Sequence, residues 1–259
     1  MLAKEESNFV EHLSWEDVAA RISNGASAII PIGAGAKQHG FHLPMNTDRI
    51  QAEALAARIA DGVDALIWPT VAYGYYPAFT AYAGSSSLSA ETFEKIVEEL
   101  TRSLLNDGCG AIFVLDTGIS TIVPVDRALS RVGSAKTLHL KVHEGRRYKL
   151  AAQRIAQQTH GSHADELETS LMLALAPDLV VMSRAQASPV IKREVPGPLT
   201  PSDSSSPNFS PSGSFGDPTL ATLAKGKVLL EAMADDLIEQ ARDFVAGALA
   251  ATSRSGHAS

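Results

Sequence analysis

The 259-residue chain has one cysteine, Cys109, which leaves no partner for an intrachain disulfide and no route to a cysteine-rich zinc site. Cys109 precedes an apolar run without a neighbouring base in sequence, so it reads as a small buried residue rather than a nucleophile. Basic charge is also short. Lys and Arg number 22 against 29 Asp and Glu, for a formal net charge of -7, and no basic block occurs. That excludes the electrostatic footprint of a nucleic-acid or anionic-membrane partner. No apolar run reaches the roughly 18 to 20 residues that span a bilayer. The opening stretch "MLAKEESNFVEHLSWEDVAARI" is charged and amphipathic, so no secretory signal peptide is expected. These absences together predict a cytoplasmic protein.

What is present suits one α/β domain: 45% of residues are hydrophobic and 20% charged. "SWEDVAARI" carries a serine N-cap and acidic first turn, and predicts a helix. "ASAIIPIGA" predicts a buried strand, "DRIQAEALAARIADG" a helix ending at Gly62, and "DALIWPTVAYG" a second strand. "SAETFEKIVEELTRSLLNDG" predicts a helix capped by Ser89 and closed by Gly108. "CGAIFVLDTG" and "KTLHLKVH" read as further strands. "ADELETSLMLALAPDLV" reads as a helix up to Pro177, and "TLAKGKVLLEAMADDLIEQARDFVAGALA" as a long C-terminal one. Strands alternating with helices predict a three-layer α/β/α architecture on a mainly parallel sheet. The stretch from Arg193 to Pro218 is rich in proline and serine. It predicts a long surface excursion near the site rather than a second domain.

Chemistry-bearing residues concentrate in "GAGAKQHGFHLPMNTD", Gly33 to Asp48. In a parallel sheet ligands bind at the carboxyl ends of the strands, where this stretch follows the first strand and Asp116 to Ser120 follow the third. His39, His42 and Asp48 are metal-ligand types, yet Lys37 stands two residues before His39, where a cation site calls for an anion.

The stretch "PIGAGAKQHGFHLPMNTD" resembles the creatininase family, whose pattern there reads roughly P-x-G-S-x-E-Q-H-G-P-H-L-P-x-x-T-D. "YGYYPAFTAYAGSSSLS", "HADELETSLMLALAPDLV" and "SGSFGDPTLATLAKG" resemble later family segments, in order, from about Pro31 to Gly226. The resemblance implies an α/β/α fold, assembly as a dimer or a hexamer of dimers, and hydrolysis of C–N bonds in small amides with two divalent metals. In the family a water bridging the metals is the nucleophile. Carried onto this chain, His39 matches a ligand and Asp48 the ligand that bridges both ions. His163 matches a histidine that contacts substrate, and Glu168 and Thr169 match the family's E-T-S. The chain departs elsewhere. Lys37 replaces a ligand glutamate, Gly118 a ligand histidine, and Ser120 a further ligand. Two charges about 4 Å apart at an effective dielectric of about 20 repel by on the order of 4 kcal/mol, and a divalent ion doubles this. A protonated Lys37 therefore disfavours the adjacent metal.

The leading expectation is a degenerate metal site: an amidohydrolase-type enzyme rebuilt around Lys37, acting on a small cyclic amide, lactam or lactone and needing no cofactor. Lys37, His39, Asp48 and His163 are its catalytic candidates. Lys37 would clamp a developing oxyanion, and His39 or His163, paired with Asp48 or Asp116, would serve as general base. A Schiff base on Lys37 is a side branch of this reading. His42, Tyr73, Tyr76, Asp116, Ser120 and Glu168 are the substrate-binding candidates. One rival is a catalytically silent homologue that binds a ligand or serves as an oligomer subunit. Another retains one divalent ion, zinc or manganese, on His39 and Asp48. A third recruits ligands from His139, His143 or Glu144. A small-molecule substrate and a homo-oligomer are expected, with no nucleic acid and no membrane.

Overall fold

The computed structural model describes residues 7–189 and 197–255. Four short strands, β1 (Ser27–Ile32), β2 (Ala65–Ile67), β3 (Ile112–Asp116) and β4 (Thr137–Lys141), form one parallel sheet in the order β2-β1-β3-β4. Ile29 of β1 is paired with Ile67 on one side and Phe113 on the other. Every residue of β1 and β3 is buried, which central parallel strands require because helices cover both faces.

Side-chain alternation divides the core into two layers. Ile29, Phe113, Leu115 and Leu140 pack against α2 (Thr47–Gly62), α5 (Arg146–Ile155), α6 (Glu166–Leu175) and α7 (Leu223–Ser255). Ala28, Ile30, Ile32, Ile112 and Val114 pack against α3 (Ala90–Asn106) and α4 (Ile122–Val132), with Cys109 buried among them. The result is an α/β/α fold. Among the described residues no helix is long and apolar enough to cross a membrane.

Local signals account for several boundaries. Ser14 and Asp17 form a capping box at α1 (Trp15–Ser23). Ser89 caps α3 by accepting from the Thr92 N–H, and the chain turns away at Gly108 with φ +90°. The long C-terminal helix α7 packs closely on α6. A Cβ at Gly226 would run into the Ser170 carbonyl, so only glycine permits that approach.

Three features differ from the sequence reading. The second strand stops at Ile67 because Pro69 lacks an N–H for the ladder, and only Val71 regains a bridge to Ile32. Helix α4 was not expected; Pro124 lies in its first turn, where the missing N–H is tolerated. Helix α5 begins with two arginines, the wrong charge for a helix N-terminus. Its first amides are satisfied from afar, by Asp236 of α7, which accepts from the N–H groups of Arg147 and Tyr148 at 3.2 and 2.9 Å.

The proline- and serine-rich excursion is irregular as expected over its described part; residues 193–196 lie outside the described residues. It is less superficial than predicted. The Leu199 N–H donates to the Ala78 carbonyl, the Tyr82 hydroxyl to the Ser210 carbonyl, and Gln38 Nε2 to the Gly213 carbonyl. Within it, Ser210, Ser212 and Ser214 are buried.

Candidate active site

The loop 33–46 carries the chain from the end of β1 into α2 and has no regular structure. Gly40 turns it with φ +71°, and a Cβ there would strike Ser214 Oγ and His42 Nδ1. The turn sends His39 inward, where it is fully enclosed at 0% exposure. His39 Nδ1 lies 2.8 Å from the Lys37 carbonyl oxygen, which can only accept, so Nδ1 carries the hydrogen. His39 Nε2 faces Asp48 Oδ1 at 3.0 Å and Glu168 Oε1 at 3.6 Å.

Asp48 sits in the first turn of α2, and its second oxygen, Oδ2, lies 2.7 Å from Lys37 Nζ. At that distance the ammonium is the ion-pair partner of Oδ2. Lys37 Nζ also lies 4.8 Å from the Phe79 ring centroid and 5.5 Å from that of Tyr76, contacts suited to a cation. Burial opposes charge on Asp48, but Lys37 and His39 outweigh it and hold the carboxyl well below its usual range. These contacts suit an ammonium and give no support to the Schiff-base branch.

His163 donates from Nε2 to the Gln38 carbonyl at 2.8 Å, and its Nδ1 lies 3.7 Å from Glu168 Oε2. Burial, and then the neighbouring His39 and Lys37, hold this imidazole neutral well below its usual titration. Glu168 is oriented by the Ala164 N–H, which donates to Oε2 at 2.6 Å from a residue at φ +46°.

Lys37, Asp48, Tyr76, Ser120, His163 and Glu168 line one cavity of about 810 Å³, together with Phe79, Leu199, Asn208 and Phe215. The other candidates lie elsewhere. His42 does not line the cavity, and its Nε2 lies 2.8 Å from the Thr169 hydroxyl. Tyr73 is 58% exposed and outside the cavity. Asp116 is buried below the cavity, where Oδ1 accepts from the Gly118 N–H and the Thr121 hydroxyl while Oδ2 meets His139 Nε2 at 3.3 Å. A dyad of Asp116 with His39 or His163 is therefore not formed, and Ser120 donates its hydroxyl to the Tyr75 carbonyl at 2.6 Å.

His143, grouped in the sequence with His139 and Glu144, separates from both. His139 bridges Asp116 and Asp126, Glu144 is exposed, and His143 lies past the end of β4 with its ring in the cavity. His143 Nε2 lies 3.3 Å from the Thr117 carbonyl, which can only accept, so Nε2 carries the hydrogen and Nδ1 is left with its lone pair. Burial lowers the pKa of His143, although Glu168, the Thr117 carbonyl, Asp48 and Asp116 work the other way. Phe215 and Leu199 were missed because they sit in the proline- and serine-rich stretch, where no periodicity marks a buried side chain.

The buried imidazole of His42 has a stability consequence. Burial, then the nearby His39, lowers its pKa from 6.5 to about 4. As pH falls from 6.5 toward 4, the unfolded chain takes up this proton and the native chain does not, so this contribution to stability is lost across that window. Asp165 opposes it. Burial raises its pKa from 3.8 to about 6, so the native state takes up its proton first as pH falls. Urea midpoints at pH 6.5 and 4.5 are expected to fall less for His42→Gln than for the native chain, with a slope shallower by about 1.4 kcal/mol per pH unit. Equal slopes would show that His42 is not held neutral.

A buried carboxylate and two enclosed imidazoles thus lie together at the carboxyl ends of the strands, beside one cavity. Residues 11–241 match the family model for creatininase, creatinine amidohydrolase, and the chain belongs to that family. Creatinine amidohydrolase of Pseudomonas putida is 27% identical over 260 residues, covering 92% of this chain and 97% of its own. The mycofactocin precursor peptide peptidase of Mycobacterium tuberculosis (strain CDC 1551 / Oshkosh) is 30% identical over 231 residues, covering 84% and 85%. A solved mutant creatininase of Zn-Zn type superposes with a TM-score of 0.77 at 26% identity, covering 92% of this chain and 98% of its own. Both curated relatives are hydrolases by name.

A two-ion centre does not fit the residues present. The Lys37 ammonium occupies Asp48 Oδ2, the oxygen that a second ion would need. Gly118 offers no side chain, and the Ser120 hydroxyl is turned onto a backbone carbonyl.

Proposed function

We propose that this chain is a hydrolase that opens the C–N bond of a small amide or lactam, or the C–O bond of a lactone, with Lys37 standing where its metal-bearing relatives carry a cation. The observation that carries this reading is the Lys37–Asp48 pair, set between aromatic faces in the cavity at the carboxyl ends of the strands. The cavity, about 810 Å³, has room for an amide larger than a single ring, such as the end of a short peptide.

In this mechanism the substrate lies against Tyr76, Phe79 and Phe215, with its carbonyl oxygen toward the Lys37 ammonium. As water attacks the carbonyl carbon, its proton passes to His143 Nδ1, and charge developing on the oxygen is met by Lys37. Collapse breaks the C–N bond, and the imidazolium returns the proton to the leaving nitrogen. A preorganised donor of this kind contributes about 2.7–4 kcal/mol, and the positioned base about 10²–10⁴ in rate. The enclosed His39 orients Asp48 and does not meet substrate.

The test is a panel of lactams, lactones, acyl amides and short peptides incubated with the purified full chain, with release of amine or acid measured. Turnover of at least one substrate is expected, with kcat falling about 10²–10⁴ in His143→Gln. Its acid limb should lie below pH 6.5, since burial lowers the pKa of His143. A folded chain inert across the panel would return the site to the silent-homologue reading. Full activity in His143→Gln would remove His143 as the base.

A further inference from the structure

We infer that Asn208, on the proline- and serine-rich excursion, is a substrate-specificity residue. Its carboxamide reads a second, uncleaved amide edge on the substrate, with one acceptor and one donor side by side: a primary carboxamide, a ureido group or a ring amide. The statement that this edge is not the one cleaved rests on the reaction proposed above.

The excursion holds Asn208 by its backbone and leaves its side chain unused. Its N–H donates to Ser206 Oγ at 3.2 Å, and its carbonyl accepts from the Thr200 N–H at 3.1 Å. The segment is pinned on either side, by the Leu199 N–H on the Ala78 carbonyl and by the Tyr82 hydroxyl on the Ser210 carbonyl. Asn208 is 9% exposed and lines the cavity, yet among the described residues no group hydrogen-bonds its carboxamide. A short polar side chain in a turn ordinarily bonds the local backbone, as Asp203 does in this same segment by accepting from the Ser205 N–H at 3.0 Å. Asn208 does not. Gly197 keeps the amide uncovered, since a Cβ there would come within 3.0 Å of Asn208 Nδ2. A mostly buried amide is costly to leave unpaired, so its partner is a group that enters the cavity.

What it can match follows from its chemistry. A carboxamide has two donor hydrogens on Nδ2, an acceptor at Oδ1 and no charge. The other cavity-lining residues of the excursion, Gly197, Leu199 and Phe215, are uncharged too, so nothing on this wall favours a carboxylate or an ammonium. A donor beside an acceptor on one edge closes two antiparallel hydrogen bonds with Asn208. An extended trans peptide unit, whose C=O and N–H point opposite ways, closes only one. In the proposed reaction Lys37 meets the scissile carbonyl and His143 the leaving nitrogen, so both polar groups of the cleaved bond are already engaged. Asn208 therefore meets another group, and the cavity of about 810 Å³ has room for it.

Two ring amides of nearly equal size provide the test. Pyroglutamide and methyl pyroglutamate differ only in the second group, a carboxamide in one and a methyl ester in the other. Calorimetric binding and ring opening of both are measured with the native full chain, Asn208→Leu and Asn208→Asp. The aspartate keeps the shape and the acceptor but cannot donate at neutral pH, and it covers the case in which leucine disturbs the loop. The native chain is expected to bind pyroglutamide about tenfold more tightly than the ester. Both variants, folded by circular dichroism, should lose that preference while their affinity for the ester changes by no more than about threefold. Equal affinity of the native chain for the two probes, a preference that survives in both variants, or no binding of either probe would each overturn the inference. Hydrolysis of both probes without preference would sink it and leave the proposed function standing. A preference lost at Asn208 with no ring opening would keep Asn208 as the reader of the amide edge and remove the proposed reaction.

Discussion

Lys37→Met is expected to destabilise the fold by about 3–5 kcal/mol and to lower hydrolysis by about 10²–10³. The stability loss follows from what remains. Asp48 is 2% exposed, and its charged form is held against burial chiefly by Lys37. Without the ammonium, the carboxyl must stay charged in a poor environment or take up a proton. The loss is therefore expected to shrink as pH falls, because protonating Asp48 relieves the unpaired charge. Combining Lys37→Met with Asp48→Asn should be less destabilising than the sum of the single changes, since neither member then leaves the other exposed to burial. Urea midpoints for the four chains of this cycle, measured at constant m, give the coupling directly. Additive losses would mean that the 2.7 Å pair is not an energetic unit.

Lys37→Glu has the second large effect, and its sign depends on metal. Stripped of metal, the variant places two carboxylates together in a buried site, and it should be less stable than Lys37→Met above pH 5. With Zn²⁺ or Mn²⁺ it should recover, by about 2.7 kcal/mol when free ion is a hundredfold above Kd. The variant is expected to take up one more ion per chain than the native protein. It should hold that ion weakly, because Gly118 and Ser120 supply neither imidazole nor carboxylate to the added position. Metal titrations followed by thermal melts and by metal counting test this. A variant whose Tm does not respond to either ion would show that Lys37 is not where a cation otherwise sits.

The motif loop was legible in the sequence because it is local. His39 and Asp48 are nine positions apart across one loop, Lys37 is two positions further back, and the contacts of both with Asp48 lie within that short stretch. Glu168 and His163 were legible as site residues through the family resemblance, but their distances to His39 were not, since those depend on how α6 docks against the sheet. Asp116 shows the limit of arguing from strand ends. It sits at the carboxyl end of β3, as expected, but the Gly118 amide, the Thr121 hydroxyl and His139 draw it beneath the cavity rather than into it. His143 shows the converse. A histidine just past a strand carries no mark in its neighbours, and its place in the cavity depends on the β3–β4 pairing and the Thr117 carbonyl.

By itself, the sequence determined the layered α/β/α plan, the helices opened by Ser14 and Ser89, the family, and which residue types stand at positions 37, 118 and 120. These are matters of periodicity, capping and residue type, set within a few positions of one another. Only the tertiary structure decided that His143 rather than Asp116 meets the cavity, that the 197–218 excursion forms a wall of it, and that Asp236 caps α5 from 89 and 88 positions away. Each depends on groups distant in sequence satisfying one another's hydrogen bonds or burying one another's apolar surface. Such partners are chosen when the elements pack, and nothing in the local chain specifies them.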